Sequence, residues 1–134
     1  MYVHDLEGLV QIDRPEDLLS RLRSVRKGPY GAFILSNDDI GPSLWIHING
    51  NVAYLHFFLE SQSTNHPGFQ AWSMVPEGCE ERVHFVQIDG GEGASITMPK
   101  QTLVSLETAY KAATEFFHIP TLPSSIRWSA LWRD

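Results

Sequence analysis

The stretch SLWIHINGNVAYLHFF, residues 43–58, decides how this chain is read. Two runs rich in β-branched and aromatic residues flank Asn49-Gly50, a strong short-range hairpin signal. A two-residue loop there predicts that Ile48 pairs with Asn51, His47 with Val52, Trp45 with Tyr54 and Ser43 with His56. Side chains alternate across a strand, so Leu44, Ile46, Ile48, Ala53, Leu55 and Phe57 share one face. Trp45, His47, Val52, Tyr54, His56 and Phe58 share the other. The aliphatic set suits a core. The second set carries large rings with polar tips, and two fates are open to it. Another part of the chain covers it, such as the tail around Trp128 or a curled sheet edge, or it faces a partner.

Further strands follow outward from the hairpin: AFILS at 32–36, FQAWSM at 69–74, RVHFVQI at 82–88 and ASITM at 94–98. Short turn-rich connections between them predict an antiparallel meander. Upstream, a strand near Leu9–Ile12 leads into a helix with Asp13 as its cap, Pro15 in its first turn and Glu16 at capping-box spacing. Leu18, Leu19, Leu22 and Val25 form its apolar stripe, Arg21, Arg23, Arg26 and Lys27 complement its C-terminal dipole, and Gly28-Pro29 ends it. Downstream, SLETAYKAATEFF at 105–117 has helical periodicity, with Ser105 as N-cap. Pro120 and Pro123 prevent continuation, and SSIRWSALW returns as a tail that can pack through Ile126, Trp128 and Leu131. The expectation is α+β: one domain over 1–134, a single antiparallel β-meander sheet of about six strands, and two helices on one of its faces.

The formal net charge of the 134 residues is −6, unevenly spread. No Lys or Arg occurs between Lys27 and Arg82, whereas Asp38, Asp39, Glu60, Glu77, Glu80 and Glu81 do. Such a surface argues against direct nucleic-acid binding, which relies on clustered cations. It fits a basic protein partner, or an acidic surface kept for solubility. The N-terminal residues lack the pattern of a secretory signal, no apolar run suits a membrane span, and the lone Cys79, in polar PEGCEER, reads as a surface thiol. The expectation is a cytoplasmic protein without membrane contact.

Catalytic patterns are missing. On the predicted ladder His47 and His56 stand about 13 Å apart, too far to share one metal ion. His84 and His66 approach the hairpin only through a strand order the sequence leaves open. DGGEGAS at 89–95 lacks phosphate-loop spacing and precedes a strand, so it reads as a hairpin turn. No GxSxG or HExxH organises the Ser, His and Asp residues, and Asp38-Asp39 and Glu80-Glu81 lie in polar turns where water solvates both members. No catalytic residue, metal or cofactor is therefore expected.

The C-terminal third, LVSLETAYKAATEFFHIPTLPSSIRWSAL, resembles the closing signature of the first immunity-protein family of bacterial polymorphic toxin systems. The residues that carry the resemblance are Val104, Ala109, Ala113, Glu115, Phe116, Phe117, Pro123 and Trp128, and the upstream order of strand, helix and meander is also similar. The family prefers Gly after the helix where this chain has Pro120, which implies a different helix exit. These residues are structural, fastening helix to sheet, and identify a scaffold. The resemblance implies a non-catalytic cytoplasmic protein that binds the catalytic domain of a cognate toxin, often a deaminase or nuclease. An acidic, aromatic surface suits a basic toxin of that kind. Asp38, Asp39, Trp45, His47, Tyr54, His56 and Glu60 are the candidate contacts, in a monomer or a weak homodimer. The alternative is a small hydrolase-like or ligand-binding accessory domain using His47, His56 or His84 on a sheet face.

Overall fold

The structure, a computed structural model, describes residues 1–60, 68–88 and 95–131. The chain begins with a hairpin of β1 (Tyr2–Asp5) and β2 (Gly8–Gln11), followed by helix α1 (Pro15–Ser24). Strands β3 (Tyr30–Ser36), β4 (Ser43–Asn49) and β5 (Val52–Phe58) form the centre. Then come β6 (Phe69–Ala71), β7 (Arg82–Val86), β8 (Ser95–Pro99), β9 (Leu103–Ser105), helix α2 (Leu106–His118) and β10 (Trp128–Ala130). The main sheet is antiparallel in the order β10-β6-β5-β4-β3-β1-β2, with β9 sharing the far edge of β5.

The architecture is α+β, and it carries more strands than the six expected. β1 escaped sequence reading because YVHD is short and its turn carries no Asn-Gly or Pro signal; Asp5 Oδ1 accepts from the Glu7 N–H instead, at 2.9 Å. RVHFVQI and ASITM do form a hairpin, β7-β8, but as a separate two-stranded sheet. The turn expected in DGGEG and the histidine His66 lie outside the described residues.

Leu44, Ile46, Ile48, Ala53, Leu55 and Phe57 are all fully buried and pack with Leu18 and Leu22 of α1 and Ala109, Ala112, Ala113 and Phe116 of α2. The aliphatic face is therefore the core, and both helices lie on it. The basic end of α1 does more than complement a dipole. Arg21 Nε and Nη2 donate to the carboxylate of buried Asp5 at 2.7 and 3.2 Å, fastening the first hairpin to the helix. The Arg23 guanidinium sits 5.2 Å from the Tyr110 ring and Arg26 donates to the Tyr110 hydroxyl, joining the two helices.

Helix ends follow local chemistry. Ser105 caps α2, its Oγ accepting from the Thr108 N–H at 3.1 Å. Asp13 does not cap α1: Arg14 occupies that position, in extended conformation and without a side-chain cap. Pro15 explains the shift, because the residue before a proline is driven out of helical space and the cap falls there. At the end of α2, Ile119 is extended at φ −136°, an exit suited to Pro120 in place of a left-handed glycine cap.

The central hairpin corrects its predicted register. Asn49 pairs with Val52, so Gly50 and Asn51 are the loop residues; Trp45 lies opposite His56, and His47 opposite Tyr54. Gly50 has φ +61° and Asn51 has no positive φ, the pattern of a turn with glycine at its first central position. Distant groups hold this frame: Gly50 N–H donates to Pro29 O, Leu106 N–H to Asn51 O, and Asn49 Nδ2 to His84 O. The slip is by two residues, so every side chain keeps its face.

Candidate partner-binding face

On the side of the sheet away from the helices, residues align in rows set by the register. Leu9, His4, Ile34, Trp45, His56 and Gln70 form one row. Tyr2, Ser36, Ser43 and Phe58 lie in the next toward one sheet end. Toward the other end lie Ala32, His47, Tyr54 and Leu103, then Tyr30, Asn49, Val52 and Ser105.

The last two rows are covered by the chain's own β7-β8 hairpin. Fully buried Phe85 packs into a second cluster with Val52, Tyr54 and Leu103, flanked by Val83, Ile96 and Met98. The Tyr30 and His84 rings meet edge-on at 5.9 Å. The cover is thus this hairpin; Trp128 lies on the core side, 6.1 Å from the Phe57 ring, with its Nε1 donating to Pro123 O. Cys79 also packs at the edge of the second cluster and is half-buried, so it is not the surface thiol its polar neighbours suggested.

Burial changes the chemistry beneath the hairpin. His47 is 4% exposed and Tyr54 5%, with their rings stacked at 5.7 Å. Burial, with a smaller contribution from His56, pushes the His47 pKa down to about 4. Burial raises the Tyr54 hydroxyl to about 12. Among the described residues the His47 Nδ1 has no hydrogen-bond partner, which leaves a buried ring nitrogen unsatisfied. With the corrected register His47 and His56 are diagonal neighbours, nearer than the ladder distance first derived. Among the described residues no group of three or more His, Cys, Asp or Glu is placed to hold a metal ion.

Among the described residues no element covers the first two rows, although Ser43 itself is buried. Trp45, His56 and Phe58 are half-buried, with Trp45 and Phe58 edge-on at 5.4 Å and His56 lying on Phe58 at 4.1 Å. Trp45 Nε1 donates to Ser43 Oγ, which fixes the indole. Tyr54 OH and His56 Nδ1 are hydrogen-bonded at 3.4 Å, linking the covered half to the open one. Exposed Tyr2, Leu9, Ile40 and Leu59 gather at the same sheet end, Leu9 at 71% and Ile40 at 69% exposure. Asp38 and Asp39, in the β3-β4 loop, and Glu60, just past β5, are exposed around this patch.

The structure therefore brings Asp38, Asp39, Trp45, His56 and Glu60 to one end of the outer face and puts His47 and Tyr54 beneath the hairpin. Sequence reasoning left Tyr2, Leu9 and Phe58 out of the candidate contacts. Phe58 was legible from its parity, but Tyr2 and Leu9 join the patch only through the β1-β2 hairpin and its pairing with β3.

These features define an α+β molecule with its helices on one sheet face and an aromatic, acid-rimmed patch on the other. The sequence pattern of the Imm1 immunity protein family matches residues 7–130, and the chain belongs to that family: it is an immunity protein, a neutraliser of toxin. The chain is also similar to a double-stranded DNA deaminase immunity protein of Burkholderia cenocepacia (strain H111), 25% identical over 132 residues. The alignment covers 98% of this chain and 100% of the relative. Membership implies a non-enzymatic role. No helix among the described residues is long and apolar enough to cross a membrane.

Proposed function

We propose that this protein acts without catalysis, in the cytoplasm, by binding the catalytic domain of a basic cognate toxin through the open half of the outer sheet face. The observation that carries the reading is the division of that face. One half is sealed by β7-β8, while the other leaves Trp45 and Phe58 half-exposed beside Asp38, Asp39 and Glu60. Rings with polar tips supply anchors, and the surrounding carboxylates steer a basic partner into contact. The toxin class that the relative's name supports is a deaminase acting on double-stranded DNA, a substrate whose phosphates require a basic enzyme surface. The whole chain serves as one immunity domain, a monomer or a weak homodimer, and inhibition is by occlusion.

The test is co-expression with a candidate toxin domain taken from a neighbouring gene. The wild-type chain is expected to restore growth, to co-purify with that domain and to suppress deamination of a double-stranded DNA substrate in vitro. Failure of all three would sink the reading, and a nuclease assay in the same complex distinguishes the other nucleic-acid chemistry.

A further inference from the structure

Two cavities, of about 370 and 400 Å³, share Ser36, Asp38 and Asp39. Tyr2 and Leu9 wall the first; Ile34, Trp45 and Phe58 wall the second. Together they make one groove across the strand ends, apolar at both extremes and carboxylate in the middle. Its described lining contains two carboxylates and no Lys or Arg.

The middle of the groove is built, not merely acidic. Asp38 Oδ1 accepts from the backbone N–H of Ile40 at 2.9 Å and from that of Gly41. A Cβ at Gly41 would stand 2.8 Å from Oδ1, so glycine is what lets the carboxylate lie against the loop. Asp38 lines both cavities, and no hydrogen bond to its Oδ2 is made among the described residues. The indole wall is likewise fixed, by the Trp45 bond to Ser43 and the contact with Phe58.

We infer that this groove receives an extended segment of the toxin carrying a central arginine between apolar side chains at alternate positions. An extended chain points every second side chain the same way, which matches an apolar-anionic-apolar lining. Arginine fits the middle because its planar guanidinium forks onto carboxylate and stacks on aromatic faces. The flanking apolar groups exclude water from the ion pair, which strengthens it relative to a surface contact. The inference rests on the proposal that the toxin docks on this face, and adds which toxin residues the face selects.

The test uses the purified 134-residue chain and the toxin domain that co-expression identifies as its partner, with binding kinetics measured at low and high salt. Asp38→Asn with Asp39→Asn removes both charges while keeping the Oδ1 acceptor that holds the loop. It is expected to weaken binding roughly 30-fold, mainly by faster dissociation, as for a desolvated anchor. Glu77→Gln with Glu107→Gln removes equal charge from exposed sites beyond the groove, and is expected to change affinity less than about threefold, through association alone. Asp39→Asn by itself leaves the Asp38 turn intact and is expected to retain at least about fivefold of the loss should the double variant prove unstable.

An alanine scan of the toxin's cations then identifies the partner. One arginine is expected to be non-additive with the groove variant by at least about tenfold, and its apolar neighbours with Leu9→Ala and Trp45→Ala. Equal losses in the groove and control variants, or no coupled cation, would overturn the inference while an intact wild-type complex preserves the immunity reading. No wild-type complex at all would instead remove that reading itself.

Discussion

The two halves of the outer sheet face are products of one alternating sequence, yet they have opposite physical characters. In the covered half, His47 and Tyr54 stack under Phe85 and have shifted pKa values. Two residues further along the same strands, Trp45 and His56 lie half-exposed beside a groove rimmed by Asp38 and Asp39. Residue type alone does not separate them, since each half holds a histidine and a large ring. What separates them is the β7-β8 hairpin, which buries Phe85 against one half and, among the described residues, leaves the other uncovered. A side chain in the first half should thus govern stability, and one in the second, binding.

The largest effect that tests this division is Phe85→Ala. Emptying the second cluster is expected to cost about 3 to 5 kcal/mol of folding stability, read by urea unfolding. Toxin affinity of the folded protein should change far less. A stability loss below about 1 kcal/mol would mean that the hairpin does not seal this half.

The pH dependence of stability probes the same half. The His47 pKa is depressed to about 4 in the folded state, while the unfolded imidazole titrates near its ordinary 6.5. Between those values the unfolded chain binds more protons, so stability falls as pH drops through 6.5 and the loss is complete near pH 4. The expected contribution is up to about 3 kcal/mol. His47→Phe, compared with the wild type by unfolding at a series of pH values, should lack that component; parallel curves would show that His47 is not sealed.

For the open half, Trp45→Ala is expected to weaken toxin binding by about 2 kcal/mol or more while lowering stability by only about 1 kcal/mol. Calorimetric titration and thermal unfolding of the same preparation separate the two. A variant equally damaged in both would erase the distinction between the halves. The smallest effect belongs to the rim. Glu60→Gln is expected to slow association a few-fold at low salt, with the difference vanishing at high salt and dissociation unchanged. A salt-independent association rate would remove steering from the account.

Much of this organisation was legible in the residues. The alternation in SLWIHINGNVAYLHFF assigned every side chain of the central hairpin to its correct face, because parity survives any slip by an even number of residues. Ser105 and the periodicity of Leu106, Ala109, Ala113 and Phe116 announced α2, since capping and helical spacing are local. The signature from Val104 to Trp128 identified the family for a related reason: those residues fasten α2 and the tail to the sheet. Of the candidate contacts named from composition and parity, Asp38, Asp39, Trp45, His56 and Glu60 do share one end of the outer face, whereas His47 and Tyr54 are buried.

Tertiary structure decided the rest. Asn49-Gly50-Asn51 allows two turn frames, and contacts to Pro29, His84 and Leu106 select the one observed. Tyr2 and Leu9 reach the groove only because β1 inserts between β2 and β3. His47 and Tyr54 leave the surface only because Phe85, some thirty residues further on, folds back over them. The sequence by itself determined the faces, because the two-residue repeat of a strand is set by the backbone of each residue. It did not determine which part of a face stays open, because that depends on where a distant hairpin comes to rest.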